Sequence, residues 1–242
     1  DMLPFAPSNR HLRITDNPIF HYADSQRKDF IGGASLAARI LYPYLTKELD
    51  PLSPESPLLF INGPLGGTSG PTTGRFVICG KGPATNLWAE SGIGGFWGPE
   101  LRKAGYDGLW ITGKSPSPVY IWVEEGRFEI RSAAHVWGKD THETTDILKE
   151  ETSADAKVAC IGPAGENLAL MAAIMNDKHR AAARSGVGAV MGSKNLKAVV
   201  AQGKKNPPMA DTDGMRKLSV IISKEVGVDI KAGSSLREYG TA

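Results

Sequence analysis

The chain has 242 residues, enough for one large domain or for one domain and part of a second. Its net charge of +2 gives no case for a nucleic-acid partner or an acidic membrane surface. Its two cysteines, Cys79 and Cys160, exclude a disulfide framework and are too few for an iron–sulfur cluster, which needs about four thiolates.

Residues 1–20 are rich in Pro, Asn and Arg and read as an arm, with one strand expected at Leu12–Ile14. Phe30, Leu36, Ala37, Ile40, Leu41 and Leu45 fall near helical spacing, which predicts a helix from about Gly33 that stops before Pro43. Pro51, Pro54 and Pro57 predict an extended linker. A buried strand is expected at Leu58–Asn62, running into the turn Gly63-Pro-Leu-Gly-Gly67, and another at Arg75–Cys79. Gly92–Gly98 reads as a glycine turn opening a short helix, Pro99–Ala104. A strand at Gly108–Ile111, a hairpin of Val119–Val123 with Arg127–Arg131, and a helix from Thr141 to Glu150 follow. Lys157–Ile161 predicts a strand and Asn167–Met175 a helix. A second glycine turn at Gly186–Gly192 should lead to a strand at Ala198–Ala201, and Asp213–Val226 resumes helical pattern. The longest apolar runs are far too short to span a bilayer, and no leader pattern is present, so a cytoplasmic protein is expected.

An internal duplication emerges from the sequence alone. Ser91–Ala104 aligns with Ser185–Ala198 at a constant offset of 94, with identities at Ser91/Ser185, Gly92/Gly186, Gly94/Gly188, Gly98/Gly192, Lys103/Lys197 and Ala104/Ala198. Each copy follows an apolar strand and a Gly-Pro turn, at Gly63-Pro64 and Gly162-Pro163. The pattern predicts an α+β fold of two related β-sheet halves with short helices, a pseudo-twofold duplication. Glycine loops at helix starts present backbone N–H groups to anions, and matched loops predict two equivalent anion sites; glycines that only permit tight packing give the competing reading.

Two segments carry the charge for such sites. Gly63–Arg75 is a Gly/Pro loop ending on a guanidinium, which binds oxyanions bidentately. Met175–Gly188 brings Lys178, His179, Arg180 and Arg184 beside the second glycine segment. Neither matches a Walker loop or a dinucleotide fingerprint. The five histidines match no zinc spacing, and no nucleophile with a base at diagnostic spacing is present.

Several long motifs resemble the N-terminal domain of the aldehyde:ferredoxin oxidoreductase family. They include Gly63-Pro-Leu-Gly-Gly-Thr68, Pro71-Thr-Thr-Gly-Arg75, Phe96-Trp-Gly-Pro-Glu-Leu-Arg-Lys-Ala-Gly-Tyr-Asp-Gly108, Val136-Trp-Gly-Lys139, Ile161-Gly-Pro-Ala-Gly-Glu-Asn167, Ala173-Ile-Met-Asn-Asp-Lys-His-Arg-Ala-Ala182 and Gly186–Ala198. The resemblance divides the chain into an arm (1–30), the N-terminal domain (30–205), and a linker with the start of a helical second domain (206–242). It implies a pterin-binding base that holds a tungsten bis-pterin cofactor (tungstopterin), the tungsten bound by dithiolene sulfurs and a magnesium ion bridging the pterin phosphates. By position, it places Arg75 between a pterin and a 4Fe-4S cluster, Glu90 and Gly92 on the first pterin, and Arg180, Ala181 and Ala183 on the second. Backbone carbonyls at Glu90 and Ala181 are the implied magnesium ligands.

The match is not complete. Glu90 stands where the family usually has asparagine, which places a carboxylate beside phosphate unless it pairs with Arg184, its counterpart at the 94 offset. Arg184-Ser-Gly replaces Arg-Gly-Gly. The cluster cysteines and the substrate-side acid and histidine belong to helical domains beyond this sequence. The resemblance implies part of an enzyme oxidising aldehydes to carboxylic acids, with ferredoxin as acceptor and a homo-oligomeric whole. A relative that reduces an aromatic acyl-CoA, or a non-catalytic pterin-binding module, are the alternatives.

Overall fold

The computed structural model describes residues 13–15 and 29–231. Most of the expected arm and the segment 232–242 lie outside them. Eleven strands form two sheets. In the first, β1 (Arg13–Thr15), β5 (Gly108–Thr112), β2 (Leu58–Asn62), β3 (Phe76–Lys81) and β4 (Trp88–Ile93) lie in that order, all antiparallel. In the second, the order is β10 (Arg180–Ala182), β9 (Ile174–Asn176), β8 (Lys157–Cys160), β11 (Leu196–Gln202), β6 (Val119–Glu124) and β7 (Arg127–Ser132). Only β11 and β6 run parallel.

Alternation along the strands builds five layers. Leu58 and Phe60 face the space between the sheets, while Leu59 and Ile61 face α1 (Gly33–Leu41) through Ala37, Ile40 and Leu41. Val199 and Ala201 face the same inter-sheet space, while Ala198 and Val200 face α3 (Thr141–Glu151) and its Leu148. Two short helices fill the middle: α2 (Trp97–Lys103) and α5 (Val187–Ser193). The period-two pattern thus serves two apolar layers per strand, which is why the strands read as continuous apolar runs. Trp97 knots the centre. It is fully buried, packs at a tilt on Phe60 and Phe76 with ring centroids 5.3 and 4.7 Å away, and donates its indole N–H to Val199 O at 2.8 Å across to the other sheet.

The duplication holds as topology: the order β5-β2-β3-β4, with α2 between β4 and β5, repeats as β11-β8-β9-β10, with α5 between β10 and β11. The constant offset does not hold. The helices begin at Trp97 and Val187, 90 residues apart, so the register of 94 sets strand β4 against turn and helix. A Cβ at Gly98 would lie 2.9 Å from the Phe76 ring, and one at Gly188 would lie 2.6 Å from Ala173 O, so each glycine packs against the start of the equivalent strand.

Other expectations change for local reasons. The residues around Pro51 and Pro54 are two hydrogen-bonded turns rather than an extended linker, closed by Ser53 N to Asp50 O and Ser56 N to Ser53 O, with proline second in each. The helix expected over Asn167–Met175 is instead α4 (Pro163–Glu166), started by Pro163 and stopped where Leu168 turns left-handed at φ 58°. The second glycine turn is the buried helix α5, whose Gly192 presses so closely on Gly165 O of α4 that no Cβ fits. Residues 212–231 form α6 (Thr212–Lys231), and no helix among the described residues is long and apolar enough to cross a membrane.

Candidate functional site

The site is built where the edge strands of the two halves, β4 and β10, approach each other. On β4, Ala89, Ser91 and Ile93 are buried, while Trp88, Glu90 and Gly92 are exposed on the opposite face. On β10, Ala182 is buried, and Arg180 and Ala181 are exposed. Gly92 pairs with Val77, and Ala181 pairs with Met175. Gly92 and Ala181 therefore occupy equivalent places on matched edge strands, each leaving backbone uncovered by a large side chain. By the same register, Glu90 corresponds to His179 and not to Arg184.

Arginines flank both positions. Arg75 immediately precedes β3, and its Nη2 would lie 3.8 Å from a Cβ at Gly92. Arg180 begins β10, and its Cγ would lie 3.4 Å from a Cβ at Gly95. Gly74, beside Arg75, packs against the same Gly95, whose carbonyl oxygen would lie 2.5 Å from a Cβ there. The structure thus brings Arg75, Gly92, Arg180 and Ala181 around one glycine loop, Gly94–Phe96. Ala183 follows on the exposed exit of β10, leading to Arg184.

The nearby carboxylates are engaged elsewhere. Glu90 accepts the indole N–H of Trp88 at 3.3 Å rather than pairing with Arg184. Asp177 accepts the Phe96 N–H at 2.6 Å, and Asp146 holds Lys178 at 2.6 Å. Among the described residues no carboxylate forms an ion pair with Arg75, Arg180 or Arg184. His142 and His179 meet edge to face at 5.4 Å beside this cluster.

The glycines expected to form anion-binding loops at helix starts are used otherwise. Gly98, Gly188 and Gly192 lie inside buried helices and serve packing. The Gly63–Arg75 loop is likewise packed: Arg102 donates to Gly63 O and Pro64 O, Gly67 abuts Pro99 and Pro207, and Ser69 O accepts the Ser219 hydroxyl. What remains for a ligand is strand edge plus arginine. The alternation Trp88/Glu90/Gly92 against Ala89/Ser91/Ile93 is the signal that could have revealed β4 in the sequence.

No group of three or more His, Cys, Asp or Glu among the described residues is placed to hold a metal ion. Cys79 and Cys160 are buried on different sheets. Burial raises the thiol pKa of each, that of Cys160 to about 11, which leaves both protonated and inert near neutrality.

Comparison with known proteins gives the family. A family model described as the N-terminal domain of aldehyde ferredoxin oxidoreductase matches residues 16–203. The tungsten-containing aldehyde ferredoxin oxidoreductase of Pyrococcus furiosus is 44% identical over 236 residues, covering 96% of this chain and 38% of that protein. The WOR-like subunit of aliphatic sulfonate oxidoreductase from the same organism is 37% identical over 233 residues, covering 88% of this chain and 36% of the relative. Among solved structures, the active-site complex of benzoyl coenzyme A reductase with 1,5-dienoyl-CoA superposes with a TM-score of 0.80 at 39% identity, covering 87% of this chain and 32% of that one. The chain spans under two fifths of the length of the first of these relatives.

Proposed function

The chain belongs to the aldehyde ferredoxin oxidoreductase family, and from that premise we propose that it is the part that holds a tungsten bis-pterin cofactor in an enzyme oxidising aldehydes to carboxylic acids. The observation that carries this reading is the equivalence of Gly92 and Ala181. Two bare strand-edge positions, one in each half and each flanked by an unpaired arginine, suit a ligand made of two like anionic units.

The residues fit such a group. Arg75 and Arg180 can each donate charge-assisted hydrogen bonds to phosphate or to pterin carbonyl oxygens. The lack of large side chains at Gly92, Ala181 and Ala183 lets a flat ring system lie against backbone. On the family resemblance, tungsten would be held by cofactor sulfurs and magnesium by phosphates with backbone carbonyls, which needs no cluster of metal-ligating side chains, and none is present among the described residues. The family resemblance suggests Glu90 and Ala181 for those carbonyls; the matched register favours Gly92 as the partner of Ala181, since their strand pairings correspond. When bound, tungsten supplies the two-electron redox chemistry of aldehyde oxidation. A 4Fe-4S cluster, and transfer to ferredoxin, is assigned to the remaining domains, because this chain has only two thiols and both are buried. Residues 30–205 are the proposed domain and 206–242 its passage to the next.

Replacing Arg75 and Arg180 by Ala singly in the full-length enzyme tests the assignment through tungsten and pterin content. Each charge-assisted bond is worth about 1.5–3 kcal/mol, so retention should weaken about tenfold or more. Full occupancy in both variants removes them from the site. The structural likeness to benzoyl coenzyme A reductase favours one second reading, reduction of an aromatic acyl-CoA. Assays of the complete enzyme with aldehydes and with aromatic acyl-CoA separate the two.

A further inference from the structure

Three hydrogen bonds cross between the halves at the meeting of β4 and β10, and they form a reciprocal clasp. From the second half, Asn176 Nδ2 donates to Gly94 O at 2.8 Å, and Asp177 accepts the Phe96 N–H at 2.6 Å. From the first half, the Ser91 hydroxyl accepts the Arg184 N–H at 3.1 Å. Asn176 is fully buried, and its Oδ1 has no partner. Asp177 and Lys178 both lie in the left-handed region, at φ 49° and 61°, in the tight turn between β9 and β10. Aspartate tolerates this conformation better than most residues, and the turn it makes aims the carboxylate at Phe96.

Gly95 is the fulcrum. A Cβ there would lie 2.5 Å from Asp177 Oδ2 and 2.6 Å from Asn176 Nδ2, so the loop is pressed directly onto both side chains. On its other side, Gly95 O presses on Gly74, the residue before Arg75. A continuous stack therefore runs from Asp177 and Asn176 through Gly95 to Gly74 and Arg75, while Arg180 starts from the same β9–β10 turn. The contact of Gly95 with Gly74 is backbone on backbone, and the short Asn176 and Asp177 side chains are each tied by a hydrogen bond to the loop they press on, so the stack gives little at those points.

We infer that Asn176 and Asp177 are positioning residues that fix the distance between the Arg75 and Arg180 half-sites, so that one two-part ligand meets both arginines at once. This rests on the cofactor reading above. Neither residue need touch the ligand. Asp177 acts through the Phe96 amide and Asn176 through the Gly94 carbonyl. The fixed spacing turns two weak anion contacts into one intramolecularly coupled site.

The test uses the full-length enzyme carrying Asp177→Ala, Asp177→Asn, Arg75→Ala and the double variant Arg75→Ala/Asp177→Ala. Two quantities are followed: the rate of pterin release, and amide hydrogen exchange across Gly94–Trp97. Asparagine keeps an acceptor for Phe96, so Asp177→Asn should release pterin at close to the wild-type rate. Asp177→Ala should exchange rapidly at Phe96 and release pterin about tenfold faster, the loss of one charge-assisted bond. The double variant should release pterin no faster than Arg75→Ala, because positioning an absent guanidinium gains nothing. A merely structural role predicts additive losses instead, and additivity overturns the inference. Rapid exchange at Phe96 with unchanged pterin release also overturns it, while leaving the cofactor reading intact. Undiminished pterin in both Arg75→Ala and Arg180→Ala sinks the cofactor reading itself.

Discussion

Replacing Lys197 by Met should destabilise the second half far more than any exposed charge substitution, because it leaves a carboxylate buried without its counter-ion. Lys197 has a fully buried side chain and forms an ion pair with Glu166, whose side chain is 5% exposed. The ammonium also donates to Lys139 O at 2.8 Å, and both carboxylate oxygens of Glu166 accept the Gly138 N–H at 3.0 and 2.9 Å. Through these contacts the pair ties α4 and the 136–139 loop to β11. Removing one member of such a pair costs about 3–5 kcal/mol, whereas replacing both by apolar residues is often close to neutral. Lys197→Met is therefore expected to cost about 3–5 kcal/mol. Lys197→Met/Glu166→Leu should recover all but about 1–2 kcal/mol, the remainder coming from the unpaired Gly138 N–H and Lys139 O. The assay is native-state hydrogen exchange at Gly138 and along β11, which reads local opening free energy without assuming two-state unfolding of a larger enzyme. Additive single and double effects, or a loss under about 1 kcal/mol for Lys197→Met, would refute the burial argument.

Gly192→Ala should disrupt the α4–α5 contact outright: the new Cβ would fall on Gly165 O, which is backbone and cannot swing aside, so the cost should exceed the usual overpacking range of about 1–3 kcal/mol. A midpoint of thermal unfolding unchanged from wild type contradicts that packing. Lys194 is buried against Ser53 O and Pro54 O, and burial lowers its pKa from 10.5 to about 7. Between these values the unfolded chain holds a proton that the folded chain lacks, so stability should rise with pH from about 7 to 10.5 through this residue. Each pH unit in that window is worth up to about 1.4 kcal/mol, and Lys194→Met should flatten the slope when stability is measured at pH 7 and pH 10. An unchanged slope would show that Lys194 is not the group responsible.

Much of this fold was legible because its strands are apolar runs bounded by Gly and Pro. β2, β5, β8 and β11 all stood out, and so did the hairpin of β6 and β7 with Glu125-Gly126 at its left-handed turn. β4 and β10 were not legible. Trp-Ala-Glu-Ser-Gly-Ile carries a single β-branched residue amid small and polar ones and runs into a glycine segment that reads as a turn, and Arg-Ala-Ala carries none and is only three residues long. Those two edges carry the candidate site. The six identities at offset 94 misled for a different reason: small residues recur wherever helices press closely on neighbours, so Gly98 and Gly192 matched in sequence while packing on different partners. Arg75 and Arg180 were legible as charge beside glycine, but Asn176 and Asp177 were not. Their role depends on a contact with residues about 80 positions earlier that only the folded chain makes.

The placement of α2 and α5 also bears on how the two halves depend on each other. Each helix follows the edge strand of its own sheet yet lies between the sheets, α2 touching β8 and β11 and α5 touching β2 and β3 of the opposite half. Each helix also packs on its own sheet, α2 on β2 and α5 on β11, so the two sheets close on the same pair of helices and the cover of each half is completed only by the other. The repeat is one of backbone and not of side chains, so matched positions are free to carry different chemistry, as Glu90 and His179 do.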